Sequence, residues 1–251
     1  MRTFAVTFFA CGAALLFTTM AGAQALSGDE VVKRMDEAMT RAQDQSFDFD
    51  LITVEPGKGE RRMTYHVDIK GTSFRRVEFL SPGDVKGMRM LVVSVNQMYV
   101  YMPAFRKVRR IASHVRNQGF MGTAYSYDEM SIVTYGDVFS AKLLSESDKD
   151  WTIELTRRPG QEFSYPKLKM VVSKEYSQPT RIEYFNDKGV LLKSEDRTNY
   201  ECADNLCNPR EMKLVDHTRN DLTTRMVRKS WKRNSGIPDS FFTQRALQKA
   251  S

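Results

Sequence analysis

The residues able to move protons near neutral pH are few. They are His66, His114 and His217, and an adjacent pair of acids, Asp128-Glu129. The histidines are dispersed, and His66 falls on the polar face of its segment, so no triad or metal set is expected from them. The sequence has no G-x-S-x-G, no H-E-x-x-H and no phosphate-binding glycine loop. Asp128-Glu129 follows Tyr125 and Tyr127, and two such acids can act as general acid and base. The plainer reading is that they are solvated or cap the next helical turn, as His114 beside a basic run reads as a surface residue. Cys202 and Cys207 flank a turn-like Ala203-Asp204-Asn205-Leu206. In an exported chain that spacing predicts one disulfide closing a short loop; it is C-x4-C rather than the C-x-x-C of redox pairs. No catalytic residue, metal or cofactor is expected.

The abundant chemistry is apolar and adaptable. Met88, Met90, Met98, Met102, Met121 and Met130 fall in or beside one stretch, residues 87–131, with Tyr99, Tyr101, Tyr125 and Tyr127. Methionine accommodates variable apolar partners, and tyrosine joins an apolar body to a polar tip. That combination suits a ligand with acyl chains and a polar head, and equally a Met-rich core. A basic run, Arg106, Lys107, Arg109 and Arg110, lies in the same stretch and reads as a solvated face, or as a contact for a partner or a lipid headgroup.

Residues 1–25 have the pattern of a secretory signal peptide. Arg2 is followed by an apolar run from Phe4 to Met20 and by small-x-small sites ending at Ala23 and Ala25. Cleavage is expected after Ala25, giving a periplasmic protein that starts at Leu26. Loss of Arg2 leaves 37 basic and 31 acidic residues, a net charge of +6. This modest bias permits transient contact with anionic membrane surfaces or an acidic partner. Basic and acidic residues are interspersed, which argues against nucleic acid.

The elements follow from periodicity. Ser27 with Glu30 forms a capping box, and Val31, Val32, Met35, Ala38, Met39 and Ala42 make a helical stripe. Beyond it the period becomes two. Phe47, Phe49 and Leu51, then Met63, Tyr65, Val67 and Ile69, mark an antiparallel meander with one buried face. Two strands, Met90–Val93 and Met98–Met102, are apolar on both faces and need cover on each. The opening helix suits one face and the segment 113–131 the other, as a lid whose Phe120-Met121 is flanked by glycines 119 and 122. The meander resumes after it, with a hairpin at Asn186–Gly189 and two late strands joined at Asn220-Asp221. Ten or eleven strands with two or three helices in one domain, 26–251, predict an antiparallel sheet curled into an open or half barrel. The cavity-lining candidates are Val77, Phe79, Met90, Val92, Tyr99 and Tyr101 on strands, and Phe120, Met121, Tyr125 and Tyr127 in the lid.

Three stretches, VEFLSPGDVKGMRML, MYVYMPAFRKVRRI and GFMGTAYSYDEMS, resemble the outer-membrane lipoprotein-sorting proteins, the LolA-like periplasmic carriers. The resemblance implies an eleven-stranded half barrel closed by helices over a hydrophobic cavity. It also implies non-catalytic binding of lipoprotein acyl chains or other lipids for transport to the outer membrane. An inner-membrane transporter of the resistance-nodulation-division type is the implied partner. The chain differs from the lipoprotein carriers in its length and its tyrosine-rich segment, which leaves glycerolipids and hopanoids open as cargo. A different class of function on the same fold is a sensor that binds mislocalised lipid or lipoprotein and signals through a protein partner.

Overall fold

The computed structural model describes residues 26–249, so the signal peptide and its cleavage site lie outside the described residues. One helix precedes the sheet: α1 (Gly28–Thr40), capped by Ser27, whose hydroxyl accepts the Glu30 amide at 3.1 Å. Its Val31, Val32, Met35 and Ala38 are buried, as the stripe predicts.

Thirteen antiparallel strands then form one open sheet. They are β1 (Asp44–Glu55), β2 (Gly59–Lys70), β3 (Phe74–Ser81), β4 (Arg89–Ser94), β5 (Gln97–Met102), β6 (Lys107–Arg110), β7 (Phe139–Glu146), β8 (Asp150–Arg157), β9 (Lys167–Ser173), β10 (Gln178–Phe185), β11 (Leu191–Ala203), β12 (Leu206–Asp216) and β13 (Leu222–Arg233). The order is β6-β5-β4-β3-β2-β1-β13-β12-β11-β10-β9-β8-β7. Strands adjacent in sequence pair with each other, except β6 and β7, and the two halves of the chain are joined where β1 pairs with β13. The sheet does not close, because β6 and β7 stay at its two ends. Among the described residues no helix is long and apolar enough to cross a membrane.

The expected antiparallel half barrel is therefore present as an open sheet, with thirteen strands instead of ten or eleven. Two regions not read as strand belong to the sheet for physical reasons. The basic run is itself the edge strand β6, paired to β5. Its charged, exposed side chains discourage edge-to-edge pairing. The region around the cysteines is not a loop but the tight end of the β11–β12 hairpin. There Cys202 opposes Cys207 in register and the two form a disulfide. Asp204 and Asn205 make the turn, both in the left-handed region (φ 53° and 60°), as a two-residue hairpin turn requires.

The cover of the doubly apolar strands also differs from expectation. Met90, Val92 and Met98 point into the main core, which α1 and the 113–131 segment share. Leu91 and Tyr99 point the other way, into a second cluster sealed by Phe242 and Leu247. The second face is thus covered by the C-terminal segment, where α3 (Gln244–Leu247) packs on β4. Both pieces expected to take opposite faces, α1 and the 113–131 segment, share one side.

Candidate functional site

The segment 113–131 is more regular than its sequence indicates. Phe120–Gly122 forms a short 3-10 turn, and α2 (Tyr127–Ser131) follows. Its N-cap is a capping box in which Ser126 and Glu129 satisfy each other's amides. Glu129 does cap a helical turn, but neither acid is solvated: Asp128 and Glu129 are both buried. Gly122 has φ +80° and the neighbouring Met121 φ 51°, so the turn depends on left-handed backbone beside Phe120.

The lid packs with its aromatic side down. Phe120 is 1% exposed, with ring centroids 5.4 Å from Phe79 and 5.1 Å from Tyr127. Its backbone is held by cations from three strands and from the turn between β12 and β13. Arg61 donates to the Met121 carbonyl (3.2 Å), Arg75 to Met130 (2.5 Å), Lys193 to Ala124 (2.8 Å) and Arg219 to Thr123 (2.8 Å). Thr224 Oγ1 accepts the Ala124 amide at 2.9 Å. Beyond α2, the Asp36 carboxylate of α1 accepts the amides of Tyr135 and Gly136. Burial raises the Asp36 pKa to about 6 against the lowering effect of those bonds.

Beneath this cover lies a cavity of about 140 Å³. Its walls come from β1–β3 (Phe47, Phe49, Tyr65, Arg75), from β10–β13 (Tyr184, Glu195, Arg197, Met226) and from the lid (Tyr125, Glu129, Met130). Strands six places apart in the order can share one cavity only because the sheet curls. Four aromatic side chains form a continuous row nearby: Phe47 to Phe49 at 5.7 Å, Phe49 to Tyr65 at 5.3 Å and Tyr65 to Phe79 at 5.9 Å.

The opposite wall is polar. Glu195 accepts Arg197 Nε at 2.6 Å and the Tyr184 hydroxyl at 3.1 Å. Glu129 accepts Lys193 Nζ at 2.8 Å and the Tyr165 hydroxyl at 2.6 Å. Burial alone would push the Glu129 carboxyl up, but Lys193 and these donors hold it below the usual range. Tyr125 and Tyr184 are pushed well up by burial, so they stay protonated. No group of three or more potential metal ligands occurs among the described residues.

Of the ten residues read as cavity and lid, only Tyr125 lines the cavity. Val77, Phe79, Met90, Val92 and Phe120 are buried in the same core, and Met121 and Tyr127 pack against it. Tyr99 and Tyr101 require correction: they face the C-terminal segment across the sheet, because in β5 only Met98 and alternate residues point inward. Arg106, Lys107, Arg109 and Arg110 are exposed on and beside the edge strand, far in strand order from the cavity. His66 sits between Asp48 (2.7 Å) and Asp68 (3.1 Å), and His217 on Asp221 (2.6 Å). Around His66 the serines Ser46 and Ser230 donate to the carboxylates rather than to the imidazole, whereas His217 Nε2 lies 3.1 Å from Ser194 Oγ.

Arg75, Glu195 and Arg197 escaped the sequence reading. A usable signal existed, since alternation places Arg75 on the same face as Val77 and Phe79, and Glu195 and Arg197 on the face of Lys193.

The model of a family described as "Uncharacterized protein" matches residues 71–249. Among solved structures, a DUF1329 family protein from Desulfovibrio piger is 23% identical and superposes with a TM-score of 0.81, covering 88% of this chain and 97% of that one. A putative outer membrane lipoprotein-sorting protein domain from Vibrio parahaemolyticus is 19% identical, with a TM-score of 0.80 and coverage of 88% and 98%. A LolA superfamily protein from Nitrosomonas europaea is 18% identical, with a TM-score of 0.75 and coverage of 88% and 100%. No curated protein matches the sequence.

Proposed function

Because the chain belongs to the family whose model spans residues 71–249, and its fold is LolA-like, we propose that it is a non-enzymatic carrier. It takes lipid, or the acyl chains of a lipoprotein, into the cavity beneath residues 113–131. The observation that supports this most is an aromatic cavity under a cover held largely by side chains grasping its backbone carbonyls. A cover of that kind can lift without unravelling the sheet.

Magnitudes restrict the cargo. A cavity of about 140 Å³ is comparable to an engineered one of roughly 150 Å³ that holds a benzene, so an acyl chain enters only if the lid moves. The four cation–carbonyl bonds contribute on the order of 1.5–3 kcal/mol each, roughly 6–12 together. A buried methylene contributes about 0.8 kcal/mol, so a sixteen-carbon chain supplies roughly 12. Lifting the lid also withdraws Phe120 from the core, at about 3–5 kcal/mol, so short chains cannot open it and only long ones come within reach of the cost.

The expected site of action is the periplasm, reached through the signal peptide with Leu26 as the first mature residue; N-terminal sequencing of envelope protein checks this. The resemblance adds an inner-membrane transporter as donor and transport to the outer membrane as the outcome. Mass spectrometry of ligand extracted from the native protein tests the carrier reading, together with displacement of a fluorescent fatty acid by chains of eight to eighteen carbons. Stoichiometric lipid and a threshold in chain length are expected. Protein free of lipid and indifferent to every chain would overturn the reading, and a stable complex with one regulatory protein would then favour a sensor.

A further inference from the structure

The charged side chains lining the cavity, Arg75, Arg197, Glu129 and Glu195, balance in number but not in contact. Arg197 is paired with Glu195 at 2.6 Å, and Glu129 with Lys193 at 2.8 Å. Arg75 has no such partner: among the described residues no carboxylate lies within 4 Å of it. It makes one hydrogen bond, from Nη1 to the Met130 carbonyl, and its Nε is buried without an acceptor. The side chain is only half-buried although it lies deep in the fold, because part of its surface faces the cavity.

A second donor is also unused there. The Tyr125 hydroxyl is buried without a partner, and Tyr125 itself is 4% exposed. Its neighbours are satisfied: Tyr65 donates to Met226 Sδ at 3.0 Å and Tyr184 to Glu195. An isolated buried cation is costly, and buried donors without acceptors are uncommon. Burial lowers the Arg75 pKa to about 10, so the guanidinium remains charged at neutral pH.

We propose that this corner of the cavity is a subsite for the anionic head of a long-chain amphiphile, a fatty-acid carboxylate. Arg75 is its counter-ion and Tyr125 a second donor, so the head lies inside the fold. A guanidinium with no carboxylate in contact is matched by a single anionic group. A carboxylate offers two acceptor oxygens to a planar guanidinium and accepts a phenol as well. The cavity's size accommodates the head and the first few methylenes, and the rest of the chain lies against the aromatic row under the displaced lid. This rests on the carrier reading and adds to it a preferred charge and orientation.

The test uses full-length mature protein and competition against the neutral probe N-phenyl-1-naphthylamine by palmitate, hexadecanol and hexadecyl phosphate. Palmitate is expected to compete at least ten-fold better than hexadecanol, and better than hexadecyl phosphate. Arg75→Gln, which removes the charge and keeps a polar amide, should abolish the preference for palmitate over hexadecanol. Tyr125→Phe should weaken palmitate several-fold without lowering the melting temperature, since the hydroxyl it deletes has no partner. A preference for hexadecyl phosphate overturns the carboxylate assignment. Equal binding of palmitate and hexadecanol, unchanged in both variants, overturns the subsite and leaves the carrier intact. Failure of all three to compete overturns both.

Discussion

Replacing Lys193 by Met probes the lid where it is most tightly coupled to the sheet. The ammonium donates to the Ala124 carbonyl and to Glu129 Oε1, both at 2.8 Å, and lies 4.0 Å from Asp216. The Lys193 and Glu129 side chains are 7% and 2% exposed. Removing one partner of such a pair leaves the other charge buried and costs about 3–5 kcal/mol, whereas removing both costs much less. For a domain of this size each kcal/mol moves the midpoint by about 2–4 °C, so Lys193→Met should lower Tm by roughly 6–20 °C. Glu129→Gln in the same chain should recover most of that loss, because the amide keeps acceptor capacity without a charge. The sign with pH is also fixed. The pair holds the Glu129 carboxyl below its usual range, so its stabilisation is present above the unfolded carboxylate pKa and lost as pH falls through the folded one. The penalty in Lys193→Met should accordingly shrink in acid, where Glu129 is protonated. Urea titration of the four proteins in this double-mutant cycle, at pH 7.5 and pH 4.5, gives the numbers. Additive effects at pH 7.5, or a penalty that grows in acid, would refute the reasoning.

Phe120→Ala should cost about 3–5 kcal/mol by urea titration, since the ring is 1% exposed between Phe79 and Tyr127; hydrogen exchange should then quicken across residues 119–126. Phe120→Asp, which a freely swinging lid would tolerate, should destabilise at least as much. Hydrogen bonding to Asp68, then to Asp48, raises the His66 pKa to about 9 against the effect of burial. Its stabilisation is thus complete below about pH 6.5 and lost as pH rises through 9. Partial exposure limits it to roughly 1–2 kcal/mol, and His66→Gln should flatten stability between those pH values in thermal melts. Cys207→Ser should cost about 2 kcal/mol, because the closed loop is short; a loss above 4 kcal/mol would show that the disulfide does more than close the hairpin.

Local pattern carried much of this architecture. Alternation in 47–51 and 63–69 marked β1 and β2 because one face of each is core and the other water. The 3.6-residue stripe of Val31, Val32 and Met35 marked α1 for the same reason. The pattern was silent where the inner face is polar. In β11 the inward positions are Lys193, Glu195 and Arg197, so the hairpin expected at Asn186–Gly189 was not extended through the part of the strand that lines the cavity. A charged residue is normally solvated; only strands distant in sequence, brought together by the curl of the sheet, supply the partners that let it be buried.

Composition and spacing by themselves indicated a β-rich chain and a disulfide closing a short turn, and three stretches of sequence carried the resemblance to LolA-like proteins. Tertiary structure alone decided which face each residue serves. Tyr99 and Tyr101 have the right chemistry for a lipid cavity but the wrong parity in β5, and the C-terminal Phe242 and Leu247 cover that side. Arg75 has the chemistry of a surface residue but the parity of Val77 and Phe79. The physical reason is the two-residue period of a strand: one position changes the face, and which face becomes the cavity is set by how thirteen strands curl together, a property no single segment contains.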